Sequence, residues 1–285
     1  MNIKIPFVLL WTIVLAWCGH VSQNMISDEV FDANHDAEME KSMDTEWMDD
    51  LSATIDLYTS NNDVKVVESK ITLDDQYAAY YFAPDVNESA PGIVIVHEWW
   101  GLNDNIKDMW RVLASEGYQV VAVDMYNGNV ATTPDEAREL VGSVNQVTND
   151  AIMLAAEQYL RDMNAKKVAS LGRCFGGAQS LSHSLASDTL DATVIYYGRV
   201  QTDPTLLANI NAPILWVFGA EDASIPVDVV NQFETALMNL GKNVSISIYD
   251  GAGHAFANPT GQNFNQEATV DAWEKTLNFL KTNLQ

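Results

Sequence analysis

From residue 61 onward the apolar positions gather into short runs, set apart by longer stretches in which apolar residues recur every three or four positions. The runs cover 92–96, 119–123, 168–171, 193–197, 214–218 and 244–249, and each reads as a strand buried on both faces. Ahead of them, 64–72 and 76–83 predict two edge strands joined by a turn at Leu73, Asp74 and Asp75. Between the runs, helices are predicted over 105–115, from Thr133, over 148–163, 175–187 and 227–240, and over 265–284. Thr133, Pro134, Asp135 and Glu136 form a helix start with a capping hydroxyl, a first-turn proline and acids, and Gly241 closes the 227–240 segment. Strand and helix alternate throughout. That pattern predicts an α/β fold with a doubly wound, mostly parallel sheet and helices on both faces.

In such sheets the ligand site lies beyond the carboxyl ends of the strands. The polar residues directly after the apolar runs are His97 and Glu98, Asp124, Cys174, Asp222 and His254. Cys174 sits in Gly172-Arg173-Cys174-Phe175-Gly176-Gly177, where a strand is predicted to turn at once into a helix. A turn that abrupt strains the nucleophile's backbone and requires neighbours two residues away to lack side chains. It also aims the positive end of the new helix at the sulfur, and the N–H of Phe175 can serve a developing oxyanion. His254, in Gly251-Ala252-Gly253-His254-Ala255-Phe256, is flanked by small residues that leave its ring free to reach across. Asp222 is the expected partner of that imidazole, in preference to Glu221, for its shorter and stiffer side chain. The chain order nucleophile, acid, histidine is that of the α/β-hydrolase triad, with sulfur in place of the usual hydroxyl. The other histidines, His20, His35 and His183, fall in the N-terminal region or a helix interior.

Several of these segments together resemble the dienelactone hydrolase family. They are Val96 to Asp104 (VHEWWGLND), the cysteine elbow, Ile195-Tyr196-Tyr197-Gly198, the Gly219-x-x-Asp222 turn and Gly253-His254-Ala255-Phe256. The resemblance runs over about 71–280. It implies Cys174 as nucleophile, His254 as base, Asp222 as the residue that orients the base, and Glu98 as a carboxylate beside the resting thiol that takes part in its activation. It further implies an oxyanion hole formed by the backbone N–H groups of Trp99 and Phe175, and Trp100, Tyr126, Arg173 and Tyr197 are candidates for the substrate pocket. Asp104 and Asp124 are read as structural. Members of the family that cleave dienelactone itself hold its carboxylate with arginines, one shortly after the Asp-x-Tyr turn and one just past the catalytic histidine. Here those regions read Asp124-Met125-Tyr126-Asn127-Gly128 and His254-Ala255-Phe256-Ala257-Asn258, without arginine. The clamp for an anionic lactone is therefore not provided at those places.

The N-terminus adds a location. Lys4 is followed by an apolar run from residue 5 to 17, the outline of a secretory signal over 1–22 and too short for a comfortable membrane span. The segment ending in Cys18 resembles a lipoprotein cleavage box, with Trp17 where a small residue is preferred, so simple cleavage is expected ahead of lipid attachment. Residues 23–60 form an acidic leader, and 61–285 the α/β-hydrolase domain. The formal charge of −24 divides into +1 over 1–22, −9 over 23–50 and −16 over 51–285. Acidity on that scale excludes nucleic acid and anionic membrane surfaces as partners. Processing at Cys18 leaves Cys174, the second of two cysteines, as a lone thiol. No HExxH pattern, paired CxxC or dinucleotide fingerprint is present, so no metal or organic cofactor is expected. The expectation is an exported, periplasmic or secreted hydrolase of small esters or lactones acting through a thioester on Cys174. The alternatives are a thioesterase or broad carboxylesterase of the same fold, a redox-active thiol, and a noncatalytic binding scaffold.

Overall fold

The computed structural model describes residues 64–85 and 89–285; the signal with Cys18 and the whole acidic leader lie outside them. Eight strands form one sheet: β1 (Val66–Leu73), β2 (Tyr77–Pro84), β3 (Gly92–Val96), β4 (Gln119–Val123), β5 (Val168–Arg173), β6 (Ala192–Tyr196), β7 (Ile214–Gly219) and β8 (Val244–Tyr249). Their spatial order is β1-β2-β4-β3-β5-β6-β7-β8. β1 and β2 pair antiparallel, β2 joins β4 antiparallel, and every other pairing is parallel. The helices are α1 (Asp104–Ser115), α2 (Pro134–Ser143), α3 (Gln146–Asp162), α4 (Phe175–Ala186), α5 (Pro204–Leu207), α6 (Val227–Asn239) and α7 (Gln266–Leu284). None among the described residues is long and apolar enough to cross a membrane.

The doubly wound, mostly parallel sheet expected from the hydrophobic runs is present, because helices cover both faces of β3, β4, β5, β6 and β7 and every residue of those strands is buried. Three expectations need correction. β2 is not an edge strand: it lies between β1 and β4. β8 is not buried on both faces: it ends the sheet, its sequence VSISIY alternates, and Ile248 is 43% exposed. The four-residue α5, capped by Asp203, has no counterpart in the predicted series. The β1–β2 turn is set by Asp74 and Asp75, both at positive φ (47° and 57°), with Gln76 N–H donating to Leu73 C=O at 3.0 Å.

Local chemistry sets most helix starts. Asn103, Thr133, Asn145, Asp203 and Asn265 each accept a backbone N–H from the first turn of the helix that follows. α4 differs: its N-cap is Cys174, which makes no side-chain capping bond. The first-turn donors that other helices hand to a cap therefore face the space around a sulfur atom.

Candidate active site

Cys174 holds φ 53° and ψ −119° between the end of β5 and the start of α4. A non-glycine residue in that conformation is strained, and the surroundings enforce it. A Cβ on Gly172 would stand 1.9 Å from the Gly176 carbonyl oxygen, and one on Gly176 would stand 2.4 Å from that of Val96. Two glycines thus let α4 fold back onto β5 and lie against β3. Cys174 N–H donates to Tyr196 C=O at 3.0 Å, which ties the elbow to the end of β6. There a second strained residue follows, Tyr197 with φ 34°.

The loop after β8 brings His254 Nε2 to 3.3 Å from Cys174 Sγ, and its Nδ1 to 2.8 Å from Asp222 Oδ2. All three side chains are buried. Burial disfavours a charged imidazole, but the facing carboxylate and the sulfur outweigh it and raise His254 well above its ordinary value. Burial likewise opposes ionisation of Asp222; His254, the Ser224 hydroxyl and the Ile225 N–H reverse this and hold its carboxyl below the usual range. Ser224 Oγ donates to Asp222 Oδ1 at 2.6 Å and lies 3.3 Å from His254 Nδ1. Glu221, the other candidate for the acid, is exposed. Asn263 Nδ2 donates to His254 C=O at 2.9 Å and steadies the loop in which Ala255 holds φ 60°. A thiol, an imidazole and a carboxylate in this line can pass a proton from sulfur to nitrogen and back to a leaving group.

Glu98, just past β3, is buried and receives Asn258 Nδ2–H on Oε2 at 2.9 Å and the Tyr197 hydroxyl on Oε1 at 3.5 Å. Burial pushes its carboxyl up, against the opposing pull of Arg173, His254 and these two donors. His97 beside it is fixed as a neutral ring. Its Nδ1 lies 2.6 Å from Glu98 C=O and so carries the proton, and its Nε2 accepts Met125 N–H at 3.1 Å. Burial, the largest influence on it, keeps it from charging. Asp124 accepts Tyr126 N–H and Gly128 N–H at 2.9 and 2.6 Å, the structural part expected of it.

The remaining candidates fall in different places. Trp99 is buried in the turn after β3 and Phe175 is the first residue of α4, so their backbone groups come from adjacent parallel strand ends. Tyr197 packs its ring against His254 at 5.3 Å, and Tyr126 packs on Phe175 at 5.6 Å. Trp100 is half-buried and lies edge-on to Trp99. Arg173 departs from the pocket assignment: its guanidinium lies over the Tyr196 ring at 5.1 Å and donates to Ala257 C=O at 2.8 Å. It also borders a cavity of about 10 Å³ with Trp110 and Trp273 beneath α1, behind the elbow. Sequence reasoning missed Ser224, Asn258 and Asn263. Only Ser224, two residues after Asp222, carried a local signal, since Asp commonly accepts from the backbone two residues on.

The sequence profile of the dienelactone hydrolase family matches residues 77–284. The chain belongs to this family. A family relative in Saccharolobus solfataricus, provisionally named a carboxymethylenebutenolidase, is 32% identical over 231 residues, which cover 66% of this chain and 88% of the relative. The usf protein of Aquifex pyrophilus is 32% identical over 202 residues, 67% of this chain and 87% of its own. Among solved structures, a provisionally assigned dienelactone hydrolase from Klebsiella pneumoniae superposes with TM-score 0.68 at 26% identity, covering 76% of this chain and 99% of the other. An acylaminoacyl peptidase of Pyrococcus horikoshii (TM-score 0.62, 19% identity, 78% of this chain and 42% of the peptidase) shares the fold alone. The architecture is thus that of an α/β hydrolase, as the order of the motifs implied.

Proposed function

We propose that this protein is an exported, cysteine-dependent hydrolase of small uncharged esters or lactones, working through a thioester on Cys174. The observation that carries the reading is the 3.3 Å approach of His254 Nε2 to Cys174 Sγ, with Asp222 2.8 Å from the other ring nitrogen. The sulfur adds to the ester carbonyl, the C–S bond forms, and the carbonyl electron pair moves to oxygen, facing the N–H groups of Phe175 and Trp99. Collapse expels the alcohol, which takes its proton from His254. Water then attacks the thioester, losing a proton to His254, and the acid leaves as sulfur regains its charge. Glu98, in its ionised form, takes part in activating the resting thiol.

The contacts of two side chains support an uncharged substrate. Asn258, near where dienelactone-cleaving relatives of this family place an arginine, spends its amide on Glu98, and Arg173 points to Ala257 and Tyr196. Export rests on Lys4 and the apolar run of residues 5–17. The test is hydrolysis of a chromogenic short-chain ester and a lactone panel under reducing conditions, beside a folded Cys174→Ala variant. The variant is expected to lose roughly 10³-fold or more of kcat. Equal rates in both would remove Cys174 from the chemistry, and preference for an anionic lactone would overturn the uncharged substrate.

A further inference from the structure

Tyr126 is held at three points. Its backbone N–H is bound by Asp124, its ring lies 4.6 Å from that of His97, and its other neighbour is the Phe175 ring at 5.6 Å. His97 is itself pinned by two hydrogen bonds, to Glu98 C=O and from Met125 N–H. Gly101 also lies close to the ring, since a Cβ there would come within 3.2 Å of Tyr126 Cδ2. A phenol so confined presents its hydroxyl at one place.

That hydroxyl is buried and has no hydrogen-bond partner among the described residues. The residue is 4% exposed. A buried O–H left unpaired is costly, and phenylalanine would fill the same space without the cost. The hydroxyl is also within electrical reach of the nucleophile: burial first, and then the charge of Cys174, push its pKa far above the ordinary tyrosine value. It therefore keeps its proton throughout the working pH range and is available as a donor, not as a base.

We propose that Tyr126 is a further catalytic residue, whose hydroxyl donates a hydrogen bond to the carbonyl oxygen of an uncharged ester as Cys174 Sγ adds to it. This rests on the reading of Cys174 as a nucleophile and adds a side-chain donor from the end of β4 to the backbone donors at the ends of β3 and β5. Donation to an oxygen that gains charge only as the C–S bond forms favours the transition state over the bound ester. No proton is transferred; the phenol remains neutral throughout.

The experiment is Tyr126→Phe in the full-length protein, with acylation of Cys174 by p-nitrophenyl acetate followed in single turnovers by released nitrophenolate and by mass. Alkylation of Cys174 by iodoacetamide, a neutral reagent that forms no oxyanion, serves as the second readout. The expected result is acylation slowed by roughly 10- to 100-fold, with alkylation and melting temperature held or the latter raised. Equal acylation rates in variant and wild type would overturn the role of Tyr126 while leaving the thioester reading intact. Acylation and alkylation slowed alike would also overturn it, since the thiol itself would then be disturbed. Wild-type protein that turns over ester without ever acylating Cys174 would overturn both.

Discussion

Asn258 Nδ2 donates to Glu98 Oε2 at 2.9 Å across 160 residues, tying the loop that follows His254 to the turn that follows β3. Burial pushes the Glu98 carboxyl up, and this bond is one of the interactions that pull it back. Asn258→Ala removes the pull, so Glu98 rises further and stays protonated to higher pH. The acid limb of kcat/KM is expected to move to higher pH. A pH-rate profile checks this. An unmoved limb would mean that Glu98 does not govern it.

The crowding at the elbow predicts unequal costs for two glycine substitutions. Gly172→Ala places a Cβ against the Gly176 backbone, which cannot swing aside. The expected loss is about 3 kcal/mol or more. Gly117→Ala meets open space and pays only for its φ of 97°, roughly 1–2 kcal/mol. Urea denaturation of both variants measures the difference, and equal losses would contradict the tight packing of α4 on β5.

Acid stability should depend on a carboxylate remote from the site. Glu157 on α3 is buried, and burial opposes its charge. Hydrogen bonds from His183, Ser187, Arg161 and Thr189 overcome that and bring its pKa to about 2 from 4.5. A folded-state value depressed in this way contributes stability that is complete above the unfolded value near 4.5 and is lost as pH falls from there through about 2. The contribution is up to about 3 kcal/mol. Unfolding free energies across that window should fall more steeply in wild type than in Glu157→Gln. Parallel curves would show that Glu157 is not coupled to folding.

The parallel core was legible because a strand covered on both faces must be almost wholly apolar, as β3 is throughout and β4 is after Gln119. β8 misled because its apolar residues alternate with serines, a pattern that belongs to an edge, within a run of similar length. The pairing partner of β2 is a property of the assembled sheet and leaves no mark on residues 77–84. At the site, the meeting of Cys174, Asp222 and His254 was legible because the three follow strand ends in a recognisable order. The orientation of Arg173 was not, since position alone does not tell which side of the elbow a long side chain takes. Asn258 and Asn263 act through contacts with Glu98 and His254 that form only once the last loop is in place.

The separation of 80 positions from Cys174 to His254 also sets an order of events. During synthesis the sulfur, its glycines and α4 all emerge before the histidine that faces it, and the loop carrying His254 follows the edge strand β8. On the proposed mechanism the thiol has no base while the chain is incomplete, so a partly made or truncated protein would carry an unarmed cysteine until the fold closes.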